Sequence, residues 1–166
     1  MPDYGVGAET WTPLPWSWAL ERLVPNRNYW IVTVSASGAP AASPVWGVWN
    51  ATEQRFAFAV APTSRKARNI AVAPRVVVLV DDTVESVSVE GTARIMAADD
   101  ANDRAVREDW IDRYLEKYGP IEPSLTAEFV RENTIIEVTP TRAYAVIERP
   151  DEFSTRATRW VFPTGE

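Results

Sequence analysis

The sequence predicts a mainly β protein, built around a closed or split antiparallel barrel with a few peripheral helices. Short segments rich in β-branched and aromatic residues follow one another along the chain. Strands and helices do not alternate as a doubly wound parallel sheet requires. With 166 residues, of which 46% are hydrophobic, the chain has the size of one domain. A closed barrel is the natural way to hide the edges of such strands.

Strand-like patterns occur at residues 29–34, 42–49, 55–61, 75–82 and 86–96, and in a final pair of runs, 134–139 and 142–147. Pro140 is expected to interrupt the last strand, and Gly91 to mark a bulge. The apolar run from Val76 to Val80 predicts a fourth strand buried on both faces. Pro44 cannot donate to a ladder, so it marks an edge, a bulge or an opening where pairing stops.

Helices are predicted at 14–23, 64–72, 101–118 and 124–131, each bounded by capping residues or by proline. The organisation that follows has three parts. Residues 1–27 form a Trp/Pro-rich docking segment, residues 28–150 form the barrel that carries the site, and residues 151–166 form an aromatic and basic tail that packs near the site.

The composition excludes several classes of chemistry. The chain has no Cys and no His, which removes disulfides, thiolate catalysis, Ser-His-Asp triads, imidazole bases and His-ligated metal or haem. The N-terminus lacks the pattern of a signal peptide, and no apolar run approaches the ~20 residues that cross a bilayer. A cytoplasmic protein without a membrane partner is therefore expected. Acidic neighbours such as Asp81-Asp82 are interpreted as solvated turns rather than catalytic pairs.

A basic segment between Gln54 and Val80 is the first candidate site. It holds five basic side chains and no acidic one, in a chain of net charge −6; these are Arg55, Arg65, Lys66, Arg68 and Arg75. Solvated faces usually mix both signs, so an anionic ligand is favoured over a solvated helix face. Thr63 and Ser64 can cap a helix whose first turn carries Arg65 and Lys66, an arrangement suited to phosphate. Nucleic acid is disfavoured, because the rest of the chain is strongly acidic.

Ser43, Pro44, Val45 and Trp46 form the second candidate site. A strand that stops pairing at a proline exposes backbone N–H and C=O groups beside an indole. Those groups could bind a planar heterocycle whose face the apolar side chains cover. An ordinary edge strand with a core tryptophan explains the same four residues, and explains them better when they are taken alone. The eight tryptophans suit either a core or a subunit interface.

An ordered set of segments resembles the pyridoxamine 5′-phosphate oxidase-like split β-barrel superfamily. The segments are 28–34, 43–49, 64–69, 88–93 and 157–160. Within that superfamily the chain is most similar to the flavin/deazaflavin oxidoreductases that use coenzyme F420, and the resemblance spans roughly residues 20 to 162. It implies a six-stranded antiparallel Greek-key split β-barrel. It also implies a homodimer with two cofactor sites at the subunit interface.

The resemblance also implies which residues bind the cofactor. Its phosphate would lie on Arg65 and Lys66, with hydroxyl and backbone donors from Thr63 and Ser64. Its ring would lie along Ser43, Pro44, Val45, Trp46 and Ala61, and Trp160 together with Arg159 would close the site from one subunit or the other. Many relatives carry a His just before the Pro-Val-Trp strand, where this chain has Ala41-Ala42. A haem-degrading activity is therefore not expected.

The function implied is an oxidoreductase that transfers a hydride from reduced F420 to a small conjugated or planar acceptor. The cofactor performs the redox step, and no essential side-chain nucleophile or base is expected. FMN, in an enzyme of the pyridoxamine phosphate oxidase type, is the alternative cofactor, because both molecules carry a phosphate and a tricyclic ring. A non-catalytic flavin or deazaflavin carrier and, more weakly, a nucleic-acid-binding module are the rival classes.

Overall fold

The computed structural model describes residues 10–163, and within that range it contains seven strands and five helices. The strands are β1 (Asn28–Val34), β2 (Pro40–Asn50), β3 (Arg55–Val60), β4 (Arg75–Val80), β5 (Glu85–Ile95), β6 (Thr134–Ile147) and β7 (Thr158–Val161). The helices are α1 (Trp16–Leu23), α2 (Arg65–Val72), α3 (Ala101–Tyr118), α4 (Ala127–Glu132) and α5 (Phe153–Arg156). None of these helices has the length and hydropathy needed to span a bilayer.

Six strands close into a barrel in the order β3-β2-β1-β4-β5-β6, and β6 pairs back onto β3. All neighbouring strands are antiparallel. Strands β1, β2 and β3 form a meander and β4 returns to lie beside β1, which is a Greek key. The predicted six-stranded antiparallel Greek-key barrel is therefore confirmed. Strand β7, which the sequence analysis does not predict, pairs with the second half of β6.

The predicted interruption of the last strand at Pro140 is wrong, because β6 runs without a break through this residue. Its first half pairs with β3 and its second half with β7, while β5 follows it on the other side. Pro140 lies opposite Gly91, where the register of the β5–β6 pair shifts. The irregularity predicted at Gly91 is thus present in the ladder, but the extra residue is Thr141 of β6, and an irregular ladder tolerates a residue without an N–H. A Cβ on Gly91 would lie 2.6 Å from the Thr139 carbonyl oxygen.

Helices and terminal segments cover the ends of the barrel. On the inner side of α2, the Asn69 side-chain amide donates to Thr33 Oγ1 over 2.9 Å. The described part of the N-terminal segment contacts the C-terminal tail: Thr12 N donates to the Thr155 carbonyl and Leu14 N to Thr158 Oγ1. Residues 1–9 and 164–166, which belong to the predicted docking segment and tail, lie outside the described residues.

The outer face of β1 and β4 is apolar and only partly covered within one chain. Val76, Val78 and Val80 point into the core, whereas Val77 and Leu79 are half-buried, so the expected burial of β4 on both faces is not met in the single chain. Trp30, 44% exposed, lies between Leu79 and Pro44 in neighbouring strands, and Val32 lies between Val77 and Ala42. These six residues are called the outer strip below. A groove of about 690 Å³ borders it, lined in part by Arg75, Glu90 and Arg142.

Candidate functional site

The barrel opens between β2 and β3. Their pairing runs from Asn50 and Arg55 only as far as Gly47 and Phe58. Beyond that point residues 43–46 of β2 remain paired with β1, and the end of β3 remains paired with β6. The two strands therefore diverge, and the gap between 43–46 and the end of β3 is called the split below. The opening expected at Pro44 is present, beginning at Trp46.

The direction of the backbone groups explains why a proline is tolerated there. Gly47 N donates to the Tyr118 hydroxyl oxygen over 2.8 Å. The same hydroxyl can donate to the Gly47 carbonyl, 2.8 Å away, or to the carbonyl of Arg27, which precedes β1, 2.7 Å away. Gly47 thus faces β1, and because backbone groups alternate along a strand, Trp46 and Pro44 face the split. The N–H that Pro44 lacks falls on the unpaired side. The Pro44 carbonyl and the Trp46 N–H are directed toward the split.

The turn from β3 into α2 forms a basic corner, defined by Thr63, Ser64, Arg65 and Lys66. The Ser64 hydroxyl oxygen accepts a hydrogen bond from Ala67 N at 3.2 Å, so Ser64 is the N-cap, as the sequence predicts. Thr63 and Arg65 are exposed and Lys66 is half-buried. Within residues 10–163, Arg65 and Lys66 have no ion pair and no side-chain hydrogen bond.

The corner is a favourable place for an anion. Two cations that lack a partner among the described residues lie in the first turn of an eight-residue helix, whose free N–H groups and dipole favour negative charge. Arg68, one turn further on, donates back to the Thr63 carbonyl and fixes the turn. The chain therefore directs both positive charge and backbone donors to one exposed spot.

The five cations of the basic segment do not form one cluster. Arg55 begins β3 at the end remote from α2, and its guanidinium donates to Thr139 Oγ1. Arg75 begins β4 and lines the groove beside the outer strip. Only Arg65, Lys66 and Arg68 lie together on α2. The single basic surface suggested by the sequence is thus divided among three places.

The Trp46 side chain packs against other side chains of the same chain. Its indole stacks on the Tyr118 ring with centroids 4.6 Å apart and planes 2° from parallel. The Arg27 guanidinium lies 5.9 Å from the indole centroid. Of the four residues predicted in the second site, Pro44 is exposed, Ser43 is half-buried and Val45 is 8% exposed. Contact between this strand and a ring therefore depends most on Pro44 and the backbone.

Ala61 lies where prediction places it, directly after β3, and it is exposed. Trp160 lies elsewhere within the chain, since its ring packs on Trp16 with centroids 5.1 Å apart. The Trp16 indole N–H donates to Gln54 Oε1 over 2.6 Å. Gln54 precedes β3 and Arg65 follows it, so Trp160 and the basic corner belong to opposite ends of a strand roughly 20 Å long.

Two residues near the end of α3, Tyr114 and Lys117, hold the end of β2 that borders the split, and the sequence analysis identifies neither as a site residue. The Tyr114 hydroxyl donates to the Trp46 carbonyl over 3.0 Å. The Lys117 ammonium donates to the Gly47 carbonyl over 3.0 Å and to the Tyr29 hydroxyl oxygen over 2.9 Å. Burial lowers the pKa of Lys117 to about 8 and raises the pKa of Tyr114 far above its usual value. The sequence signal that could have revealed them is their spacing with Tyr118, because positions i, i+3 and i+4 lie on one face of a helix.

Acidic side chains outside the split form hydrogen bonds and ion pairs within the fold. The Asp82 carboxylate accepts hydrogen bonds from Val84 N and Glu85 N in its turn, which lowers its pKa. Asp109 pairs with Arg113 along α3. Asp82 therefore lies in a turn, as the sequence analysis expects, and Asp109 forms an ion pair along the helix. Among residues 10–163, no group of three or more acidic side chains is arranged to hold a metal ion.

The comparison with protein families identifies the chain. The family model described as pyridoxamine 5′-phosphate oxidase matches residues 19–147. The chain belongs to this family. A search of curated protein sequences gives no match.

Solved structures with the same fold are distant in sequence. An F420 reductase is 23% identical with a TM-score of 0.57, over 78% of this chain and 98% of the other. A pyridoxamine 5′-phosphate oxidase-related FMN-binding protein from Nostoc punctiforme is 16% identical with a TM-score of 0.62, over 91% and 98%. The haem storage protein HutZ from Vibrio cholerae is 18% identical with a TM-score of 0.55, over 75% and 85%. At these identities the likeness establishes the fold, and proteins with this fold differ in their cofactors.

Proposed function

We propose that this protein is an oxidoreductase that binds coenzyme F420 in the split and transfers a hydride to a small conjugated or planar acceptor. The observation that carries the proposal is the position of Arg65 and Lys66, which have no side-chain partner in the described part of the chain, at a helix N-terminus beside an unpaired strand edge. A phosphate joined to a planar heterocycle has the chemistry that both features accept. FMN has the same two parts and is the alternative cofactor.

The residues present suit such a group. Arg65 and Lys66 would hold the phosphate together with the N-terminal N–H groups of α2. The Pro44 carbonyl and the Trp46 N–H, directed toward the split, would meet heteroatoms at the edge of the ring. When bound, the cofactor supplies the hydride chemistry. The protein orients the ring and shields it from water, which agrees with a chain that has no His and no Cys.

The binding test compares the wild type with Arg65→Ala/Lys66→Ala in titrations with F420 and with FMN, followed by fluorescence. Each charge-assisted hydrogen bond contributes about 1.5–3 kcal/mol, so the double variant should bind at least ~100-fold more weakly. Arg104→Ala, which removes an exposed cation from α3, is the control and should bind as the wild type does. Equal affinity of the double variant and the wild type would refute the phosphate assignment.

Turnover separates the enzyme from a carrier. An oxidoreductase reoxidises bound reduced cofactor at a rate that depends on the acceptor, and a set of quinones and other conjugated carbonyl compounds is the first panel to assay. A carrier binds the cofactor tightly, with no reoxidation that depends on the acceptor. Reduced cofactor that remains reduced with every acceptor would therefore replace the enzyme proposal by the carrier.

We also propose that the outer strip is covered by a second copy of the chain. The strip is apolar and half-exposed, and Pro44 belongs both to it and to the edge of the split. A homodimer, as the family resemblance implies, would bury the strip and bring partner residues to the split. Trp160 of the same chain packs on Trp16, whose indole donates to Gln54 at the other end of β3. A cofactor contact from Trp160 therefore requires the partner subunit.

Sedimentation tests the dimer. Val77→Glu places a charge in the strip and should give a monomer at micromolar concentration. Val72→Glu, at an exposed position of α2, is the control and should leave the assembly unchanged. A wild-type protein that sediments as a monomer with cofactor present would contradict the proposal.

We do not extend haem binding from HutZ to this chain. Without His or Cys, axial ligation falls to Tyr or Met. Among residues 10–163, Tyr29, Tyr114 and Tyr118 are buried with hydrogen-bonded hydroxyls and Met96 is 2% exposed, which leaves the half-buried Tyr144 of β6 as the one candidate ligand. A Soret band that saturates at one haem per chain would overturn this choice.

A further inference from the structure

Tyr114 stands where β2 leaves β3. The last pair of the ladder is Gly47 with Phe58, so the next pair would be Trp46 with Ala59. At that position the Tyr114 hydroxyl donates to the Trp46 carbonyl over 3.0 Å and lies near the Ala59 backbone. A side-chain hydroxyl thus occupies the place of a ladder hydrogen bond.

The geometry makes this hydroxyl a spacer. A direct backbone N–H···O bond brings nitrogen and oxygen to about 2.9 Å, whereas a bridge through a third oxygen keeps them roughly 5 Å apart. Ala59 remains paired with Ile135 of β6 on its other side, and residues 43–46 remain paired with β1. The two strands are therefore held apart while each keeps its outer partner.

Packing fixes the spacer. Tyr114 is 7% exposed, and it lies in the cluster that α3 forms with Trp110 and Ile111 against the barrel. Its ring centroid is 4.8 Å from that of Tyr118. A buried ring packed in this way has little freedom to withdraw, so the hydroxyl is a permanent part of the split.

We propose that Tyr114 is a positioning residue that keeps the split open for the cofactor ring; the cofactor part of this inference rests on the proposed function. Without the hydroxyl, the Trp46 C=O loses its hydrogen-bond donor at a partly buried position beside the Ala59 backbone, which is costly. A direct hydrogen bond from the Ala59 N–H to the Trp46 C=O would restore the lost partner. The ladder would then gain one pair and the split would narrow next to Pro44.

Tyr118 offers a matched control on the same helix. Its hydroxyl meets Gly47 and Arg27, on the β1 side of β2 and away from the split. Tyr114→Phe and Tyr118→Phe each remove one buried hydroxyl from a ring that stays packed. A purely structural role would give both variants the same losses, whereas the proposal assigns the change at the split to Tyr114 alone.

The test combines cofactor affinity with a structural measurement by NMR. Tyr114→Phe should bind F420 or FMN about tenfold or more weakly, and should show an amide–amide cross-peak between Trp46 and Ala59 that the wild type lacks. Tyr118→Phe should bind within about twofold of the wild type and show no such cross-peak. Unchanged affinity in Tyr114→Phe, or equal loss in both variants, would overturn the inference.

The two proposals fail in different ways. A wild type that binds neither cofactor ends the proposed function. The cross-peak in Tyr114→Phe then still decides the spacer: its appearance supports a hydroxyl that separates the strands, and its absence overturns this. Because phenylalanine keeps the ring in place, the variant is expected to fold, and amide exchange at Ala59 gives a second measure of the new ladder bond.

Discussion

Lys117 gives a prediction that needs no ligand. Its ammonium donates to three oxygens from three parts of the chain: the Val24 carbonyl at 3.1 Å, the Tyr29 hydroxyl at 2.9 Å and the Gly47 carbonyl at 3.0 Å. No carboxylate pairs with it among residues 10–163. Burial without a counter-charge lowers its pKa to about 8 from the ordinary value of 10.5. Lys117→Met removes the charge and keeps much of the volume.

The sign of the pH dependence follows from the two pKa values. Between pH 8 and 10.5 the folded protein releases the Lys117 proton while the unfolded chain retains it, so the unfolded state binds more protons. Lys117 therefore makes the free energy of unfolding rise with pH across this window. At about 1.36 kcal/mol per pH unit the full effect is about 3 kcal/mol. Solvent that reaches the half-buried ammonium reduces it to about 1–2 kcal/mol.

Urea unfolding at pH 7, 8, 9 and 10, followed by tryptophan fluorescence, measures this effect. The stability of the wild type relative to Lys117→Met should rise by about 1–2 kcal/mol from pH 7 to pH 10. Lys66→Met changes the only other lysine in the chain and should run parallel to the wild type. A constant difference between wild type and Lys117→Met over this range would refute the argument.

Two glycines give contrasting predictions for stability. A Cβ on Gly47 would lie 2.2 Å from Phe56 Cζ, in a fully buried ring, so Gly47→Ala should lower the free energy of unfolding by about 1–3 kcal/mol and change the near-ultraviolet circular dichroism. Gly38 has φ +83° and open space around its Cβ position, so Gly38→Ala should cost about 1–2 kcal/mol through backbone strain alone and leave that spectrum unchanged. Equal spectra for the two variants in urea-free buffer would contradict the steric argument at Gly47.

The sequence predicts the barrel well because its strands carry their own signals. Alternation in β5 and β-branched runs in β1 and β4 mark the strands, and Gly91 marks the irregularity of the β5–β6 ladder. Pro140 misleads, because its effect on a ladder depends on what lies opposite. Only the pairing with Gly91 at a shifted register makes an unbroken β6 possible. Strand β7 escapes notice because four residues are too few to display a period.

The sequence predicts the part of the candidate site whose residues are neighbours along the chain. The cap at Ser64 and the cations after it are neighbours in sequence, so a local pattern reveals them. Tyr114 and Lys117 lie about 70 residues from the strand that they hold, and no local rule connects them to Trp46. Trp160 illustrates the reverse, since its aromatic character suggests a role but the chain alone packs it against Trp16.

A barrel that opens between two strands must leave backbone groups without strand partners. In this chain, one such group is hydrogen-bonded by a side chain and another is absent because the residue is proline. Next to the last ladder pair, Tyr114 satisfies the Trp46 carbonyl with a side-chain hydroxyl. One step further from the ladder, the Pro44 N–H is removed by the choice of residue and its carbonyl is left facing the split. The opening thus begins at a backbone carbonyl that the protein itself satisfies, and further along it leaves a carbonyl available to a ligand. Under the proposed function, a cofactor ring would use the carbonyl and the amide at this edge, and its phosphate would lie at the basic corner.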